Sequence, residues 1–119
     1  MMTGGMKPPL EISPEALRLR LEAGERLRLI DIRERDERNE TEGAASGIVG
    51  ENIPMFRLPH AVERLRHWEG AIVLFCRNGT RSLRAAAWLR RNGVPAAQSL
   101  TGGLEEWAKG TGSAAPRQS

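Results

Sequence analysis

The chain reads as an α/β fold: one domain with a mostly parallel central sheet of about five short strands, flanked by helices on both faces. Three observations predict it. Short apolar stretches of strand character alternate with longer stretches bounded by helix start and stop residues. The run Ala71-Ile72-Val73-Leu74-Phe75 is apolar without alternation, as a strand covered on both faces must be. The length, 119 residues, suits a single domain that buries its core without staples. Residues 10–110 are expected to form that domain, with 1–9 and 111–119 as flexible ends.

Leu10-Glu11-Ile12 is the first strand. Ser13-Pro14-Glu15 then supplies an N-cap residue, a proline for the first helical position and an early acidic group. The helix that follows places Ala16, Leu17, Leu19 and Leu21 among charged residues and stops at Gly24, the C′ glycine. Leu27 to Ile32 is the second strand, and Asp31 within it needs a local partner if buried. Arg33 to Gly50 has no clear period and reads as a long connection with one helical turn at most. Asn52-Ile53-Pro54 is a minimal strand. Leu58 to Trp68 reads as a helix with Pro59 in its first turn, ended by Gly70. Strand Ala71 to Phe75 is followed by a helix from Ser82 to Asn92, stopped by Gly93 and Pro95. Strand Ala97 to Leu100 leads through Thr101-Gly102-Gly103 into a last helix over Leu104 to Ala108, and Gly110 to Ser119 reads as a small, polar tail.

Composition narrows the function classes. The single cysteine excludes an internal disulfide framework and a resolving cysteine in the same chain, consistent with a reducing compartment. No apolar stretch reaches signal-peptide or membrane-span length, so a soluble, cytoplasmic protein with no membrane partner is expected. The net charge of +3 is spread among acidic residues, as in Arg33-Glu34-Arg35-Asp36-Glu37-Arg38. Without a basic run or interleaved aromatics, no nucleic-acid partner is expected. His60, His67 and Cys76 lack ligand spacing, so neither a metal nor a cofactor is expected; the two histidines read as surface or packing residues.

Cys76 stands where the buried strand meets the loop Arg77-Asn78-Gly79-Thr80-Arg81 and the helix opening at Ser82. In parallel sheets, ligands sit beyond the carboxyl ends of the strands. A thiol there faces backbone N–H groups and the positive end of a helix dipole, which favour thiolate over thiol. Two nearby arginines add positive charge, and such surroundings lower a cysteine pKa well below about 8.5. Cys76 therefore reads as a nucleophile rather than one more buried small hydrophobe.

Cys76-Arg77-Asn78-Gly79-Thr80-Arg81-Ser82 after a buried strand resembles the active-site loop of the rhodanese family of sulfurtransferases. Leu29-Ile30-Asp31-Ile32-Arg33-Glu34 is similar to the family's Asp-x-Arg strand end, Asn52-Ile53-Pro54 to its short middle strand, and Leu100-Thr101-Gly102-Gly103-Leu104-Glu105-Glu106-Trp107 to its closing Gly-Gly-x-x-x-Trp element. One segment departs: where relatives commonly carry Gly-His-Ile-x-Gly-Ala, this chain has Ala44-Ala45-Ser46-Gly47-Ile48-Val49-Gly50, without the histidine. The resemblance implies sulfur transfer through a persulfide on Cys76, from a small anionic donor such as thiosulfate to cyanide, a thiol or a protein acceptor. Backbone N–H groups from Asn78 to Ser82 would surround the sulfur, with Gly79 permitting the curl. Arg77 and Arg81 are candidates for binding the donor and lowering the thiol pKa. Thr80 and Ser82 would reach the anion or cap the helix, capping being the first expectation for Ser82. Asp31 and Arg33 are expected beside the site, either serving it or as a structural ion pair. Gly103 and Trp107 read as architectural.

Three rivals share part of this pattern. Phosphatases and arsenate reductases of the same fold place five residues between cysteine and arginine; here Cys76 and Arg81 enclose four, one too few to cradle phosphate or arsenate. A carrier or docking module would relay sulfur without small-molecule turnover. A redox sensor shares the thiolate but has no use for the loop.

Overall fold

The computed structural model describes residues 7–35 and 48–114. Five parallel strands form one sheet in the order β1-β5-β4-β2-β3: β1 Glu11–Ile12, β2 Leu27–Asp31, β3 Glu51–Asn52, β4 Ala71–Phe75 and β5 Ala97–Leu100. Helices α1 Pro14–Glu22, α2 Leu58–Arg66, α3 Thr80–Arg91 and α4 Gly103–Ala114 connect or close them, with a 3-10 turn at Met55–Arg57 before α2. No described helix is long and apolar enough to cross a membrane.

The unbroken apolar run of β4 is explained by its central place. Ile72, Leu74 and Cys76 pack on one face with Leu58, Ala61 and Leu65 of α2 and Ala85, Ala86 and Leu89 of α3. Val73 and Phe75 point to the other face, against Leu17 of α1 and Leu104 and Trp107 of α4. Period-two alternation is therefore present in direction but invisible in composition. Ser13 caps α1 by accepting the Ala16 N–H at 3.1 Å, with Pro14 at the first helical position.

Several element ends differ from those the sequence suggests. Strand β3 lies at Glu51–Asn52 rather than Asn52–Pro54, and the Asn52 amide continues its link to β2 by donating to the Asp31 and Arg33 carbonyls at 2.8 and 2.9 Å. Helix α2 stops at Arg66 instead of Trp68; the Trp68 indole turns forward to donate to the Ala71 carbonyl. Helix α4 runs on to Ala114, past the expected end at Ala108 and into the stretch read as tail. The helical turn considered for the Arg33–Gly50 connection, and most of the departing Ala44–Gly50 segment, fall outside the described residues. Ile48, the first residue described after them, is buried beside Phe75.

Glu51 ties the edge strand to its neighbours, its carboxylate lying 2.7 Å from Arg64 of α2 and 3.3 Å from Arg28 of β2. The Arg64 hydrogen bond, against the opposing effect of partial burial, holds the carboxyl below its ordinary value of 4.5. A depressed folded-state pKa gives stability present above the ordinary value and lost as pH falls through the lower one. The side chain is 37% exposed, so solvent screening keeps the contribution small. Glu51→Gln is expected to lower the melting temperature slightly at neutral pH, with the difference closing as acid protonates Glu51; a gap that persists in acid would assign it to packing instead.

Candidate active site

Cys76 follows the last residue of β4, the strand where the sheet order reverses, on the face that α3 covers. That is the crevice position at which open α/β sheets hold ligands. Two backbone contacts hold the turn that leads away from it. The N–H groups of Leu104 and Glu105, in the first turn of α4, donate to the carbonyls of Cys76 and Arg77 at 2.9 and 3.0 Å. The unpaired donors of one helix start thus secure the loop that feeds another.

Glycine makes this approach possible. Gly103 has φ +60, and a Cβ there would stand 2.4 Å from the Cys76 carbonyl oxygen and 2.7 Å from backbone atoms of Arg77. Gly79, at φ +95, occupies the N-cap position of α3 in left-handed geometry, a conformation open to glycine at little cost.

The curl turns backbone donors onto the sulfur. The N–H groups of Gly79 and Ser82 donate to Cys76 Sγ at 3.2 and 3.4 Å, and the Ser82 hydroxyl lies 3.5 Å away. Burial, with Cys76 0% exposed, pushes the thiol up. Hydrogen bonds from the Ser82 hydroxyl and from the N–H groups of Ser82, Gly79 and Arg81 outweigh it and bring the pKa below the ordinary 9.0. The leading causes of the lowering are oriented donors at the helix start, the Arg81 backbone N–H among them. Arg77 turns away, its side chain 66% exposed and 3.5 Å from the Glu105 carboxylate. Arg81 lies half-buried in the first turn of α3.

Ser82 requires a correction. The helix begins at Thr80, two residues before the expected start, so Ser82 is inside its first turn and does not cap it. Asn78 takes that part by accepting the Thr80 N–H at 3.0 Å, an Asx turn. Relieved of capping, the buried Ser82 hydroxyl meets the Gly79 carbonyl at 3.3 Å and the Ser99 hydroxyl at 2.8 Å. Ser99 was not among the residues singled out from the sequence. Polar residues in a short strand, Gln98 and Ser99, are the available signal, and they do not say which partner the Ser99 hydroxyl meets.

Asp31 and Arg33 form a buried pair, 3% and 4% exposed. Arg33 donates from Nε to one carboxylate oxygen and from a terminal nitrogen to the other, both at 3.1 Å, and its backbone N–H adds a bond at 3.0 Å. Asp31 is in register with Phe75, so it shares the face of Phe75, opposite to the one carrying Cys76. His60 and His67 are both exposed on or beside α2.

A parallel sheet presenting one buried cysteine to the donors of a helix start defines an α/β domain with an activated thiol at its switch point. Within that class the chain belongs to the Rhodanese-like domain family, whose model matches residues 13–110. It is 40% identical over 80 residues to an uncharacterized Bacillus subtilis protein, YqhL, a match covering 66% of this chain and 59% of the relative. A tRNA uridine(34) hydroxylase from Salmonella arizonae is 41% identical over 54 residues, covering 44% of this chain and 15% of that protein. The chain therefore spans about three fifths of the first relative and a small part of the second. Among solved structures, the human single-domain sulfurtransferase TSTD1 superimposes with a TM-score of 0.61 at 28% identity, over 86% of this chain and 97% of that one.

Proposed function

We propose that this protein is a sulfurtransferase that carries a sulfane sulfur on Cys76, taking it from thiosulfate or a similar anionic donor and passing it to a thiol, cyanide or a protein thiol. One observation carries the reading: a lone buried sulfur receives backbone N–H groups at 3.2 and 3.4 Å and a serine hydroxyl at 3.5 Å, an array suited to an anionic sulfur and without purpose for an inert thiol. Family membership and the likeness to a human single-domain sulfurtransferase support it.

In the first half-reaction the Cys76 thiolate attacks the outer sulfur of thiosulfate, the S–S bond of the donor breaks, and sulfite leaves with the bonding electron pair. The persulfide left on Cys76 carries its charge on the terminal sulfur. An acceptor thiolate or cyanide then attacks that sulfur, and the Cys76 thiolate is released, giving ping-pong kinetics. The donors at the start of α3 stabilise the anion at each stage as an oxyanion hole does. Arg81 and Arg77 bind the donor's sulfonate oxygens; the exposed Arg77–Glu105 pair is weak enough to be exchanged for that contact. Because Cys76 is 0% exposed, a donor of thiosulfate size enters with movement of the side chains over the sulfur. A lone thiolate of this kind suits a reducing, cytoplasmic setting.

Intact mass spectrometry tests the reading. Thiosulfate should add the mass of one sulfur, cyanide should remove it, and Cys76→Ser should never gain it. No gain by folded, reduced protein would eliminate thiosulfate as donor. A gain removed only by a protein thiol would make the domain a sulfur carrier.

A further inference from the structure

Ser99 is fully buried in β5, its backbone N–H committed to the Leu10 carbonyl at 2.8 Å. It is in register with Leu74 of β4 and shares the sheet face of Ala97, the face that Cys76 and α3 occupy. Its hydroxyl oxygen lies 2.8 Å from Ser82 Oγ, which itself lies 3.5 Å from Cys76 Sγ. Three polar side chains from three elements thus form a line running inward from the sulfur.

We propose that Ser99 is a positioning residue for the nucleophile: its hydroxyl donates to Ser82 Oγ and thereby leaves the Ser82 proton for Cys76 Sγ. Proton counting sets the direction. Each hydroxyl has one proton and two lone pairs. Among the described residues, the Ser99 hydroxyl has Ser82 Oγ as its hydrogen-bond partner. If Ser82 donated to Ser99, the Ser99 proton would be buried without an acceptor, the costly arrangement. Ser99 is therefore the donor. The Ser82 proton then has two possible acceptors, the Gly79 carbonyl at 3.3 Å and the sulfur.

The protonation state of sulfur decides between them. As a thiol, Cys76 donates to Ser82 Oγ, and Ser82 turns its proton to Gly79. As a thiolate, Cys76 accepts, and the charge-assisted bond from Ser82 is the stronger choice. Ser99 donates in both states, and by donating it polarises the Ser82 O–H toward the sulfur. Without Ser99, the Ser82 hydroxyl keeps its place in the sequence but loses the bond that holds its rotamer and strengthens its proton.

The charged groups on elements packed against Cys76 are separate from this line. Arg77 pairs with Glu105, Glu106 with Lys109, and Asp31 with Arg33; on α2, Arg64 pairs with Glu51 and Arg66 with Glu63, and His60 is exposed; Arg81 lies half-buried in the first turn of α3, and β5 brings no charge. Substitution at Ser99 leaves all of them in place.

The proposal rests on Cys76 being the nucleophile, but its test reads the thiolate and needs no sulfur transfer, so failure of one reading is distinguishable from failure of the other. The thiolate's ultraviolet absorbance is followed against pH on the full chain. With one cysteine and no tyrosine, the titrating signal belongs to Cys76, and Cys76→Ser supplies the blank. Ser99→Ala should move the midpoint to higher pH, leaving about two- to fivefold less thiolate at a pH below it, the effect of a polarising bond on a charge-assisted one. Ser99→Thr should restore the midpoint. Ser82→Ala should raise it as well, and Ser99→Ala added to Ser82→Ala should change nothing more. If Ser99→Ala fails to fold, the shape-matched pair Ser99→Thr and Ser99→Val carries the comparison, threonine titrating lower. An unmoved midpoint in Ser99→Ala, or a shift equally large without the Ser82 hydroxyl, would overturn the proposal.

Discussion

Replacing Asp31 by alanine is expected to lower the unfolding free energy by about 3–5 kcal/mol, the usual result of removing one partner from a buried ion pair. Both side chains are nearly inaccessible, at 3% and 4%. The carboxylate accepts two side-chain bonds at 3.1 Å and the Arg33 backbone N–H at 3.0 Å. Its loss leaves a guanidinium buried without that counter-charge and frees an N–H at the end of β2. A domain of this size holds roughly 5–15 kcal/mol in all, so the variant should melt far below the parent. The double replacement Asp31→Leu with Arg33→Met should cost much less than Asp31→Ala, since apolar groups of similar volume replace a buried pair almost neutrally. Equal melting of Asp31→Ala and the parent would contradict the buried geometry. Because the pair lies on the Phe75 face, away from Cys76, the folded fraction of the variant should still take up sulfur.

Much of this fold is legible in local chemistry. The Ser13-Pro14-Glu15 start, the glycine after α1 and the unbroken Ala71–Phe75 run each announce an element by rules acting within a few residues, and the structure has those elements there. The places of Cys76 after a strand end and of Gly79 in the tight turn are equally legible, because both are local signals. What could not be read depends on contacts distant in sequence. Ser82 looks like a cap until Asn78 takes the Thr80 N–H and the helix opens two residues early. Ser99 looks like one more strand residue until β5 is set beside β4 and its hydroxyl reaches α3. The pairing of Arg77 with Glu105 appears only when α4 is set beside the loop. The Asp31–Arg33 pair was legible as a pair, but the face it occupies follows from register with Phe75, which no single strand reveals.

Gly103→Ala is expected to damage stability and the sulfur site together. At φ +60, an alanine carries a backbone penalty of about 1–2 kcal/mol. Its Cβ would also stand 2.4 Å from the Cys76 carbonyl oxygen and 2.7 Å from the Arg77 carbonyl carbon and oxygen. These are backbone atoms, so no side-chain rotation relieves the overlap, and overpacking of this kind adds about 1–3 kcal/mol. The combined loss, about 2–5 kcal/mol, separates into parts by comparison with Gly24→Ala. Gly24 has φ +76 but nothing within 4 Å of an added Cβ, so that variant bears the backbone term alone. The excess in Gly103→Ala measures the clash. Relief comes only by pushing the Cys76–Arg77 peptide away from α4, which lengthens the bonds from the Leu104 and Glu105 N–H groups, now 2.9 and 3.0 Å. The turn that aims Gly79 and Ser82 at the sulfur then shifts with it. Gly103→Ala should therefore titrate with a higher thiol midpoint than the parent, whereas Gly24→Ala, at the far end of α1, should keep the parent's midpoint while losing a little stability. Equal losses in the two variants, with both midpoints unmoved, would show that α4 does not hold the loop.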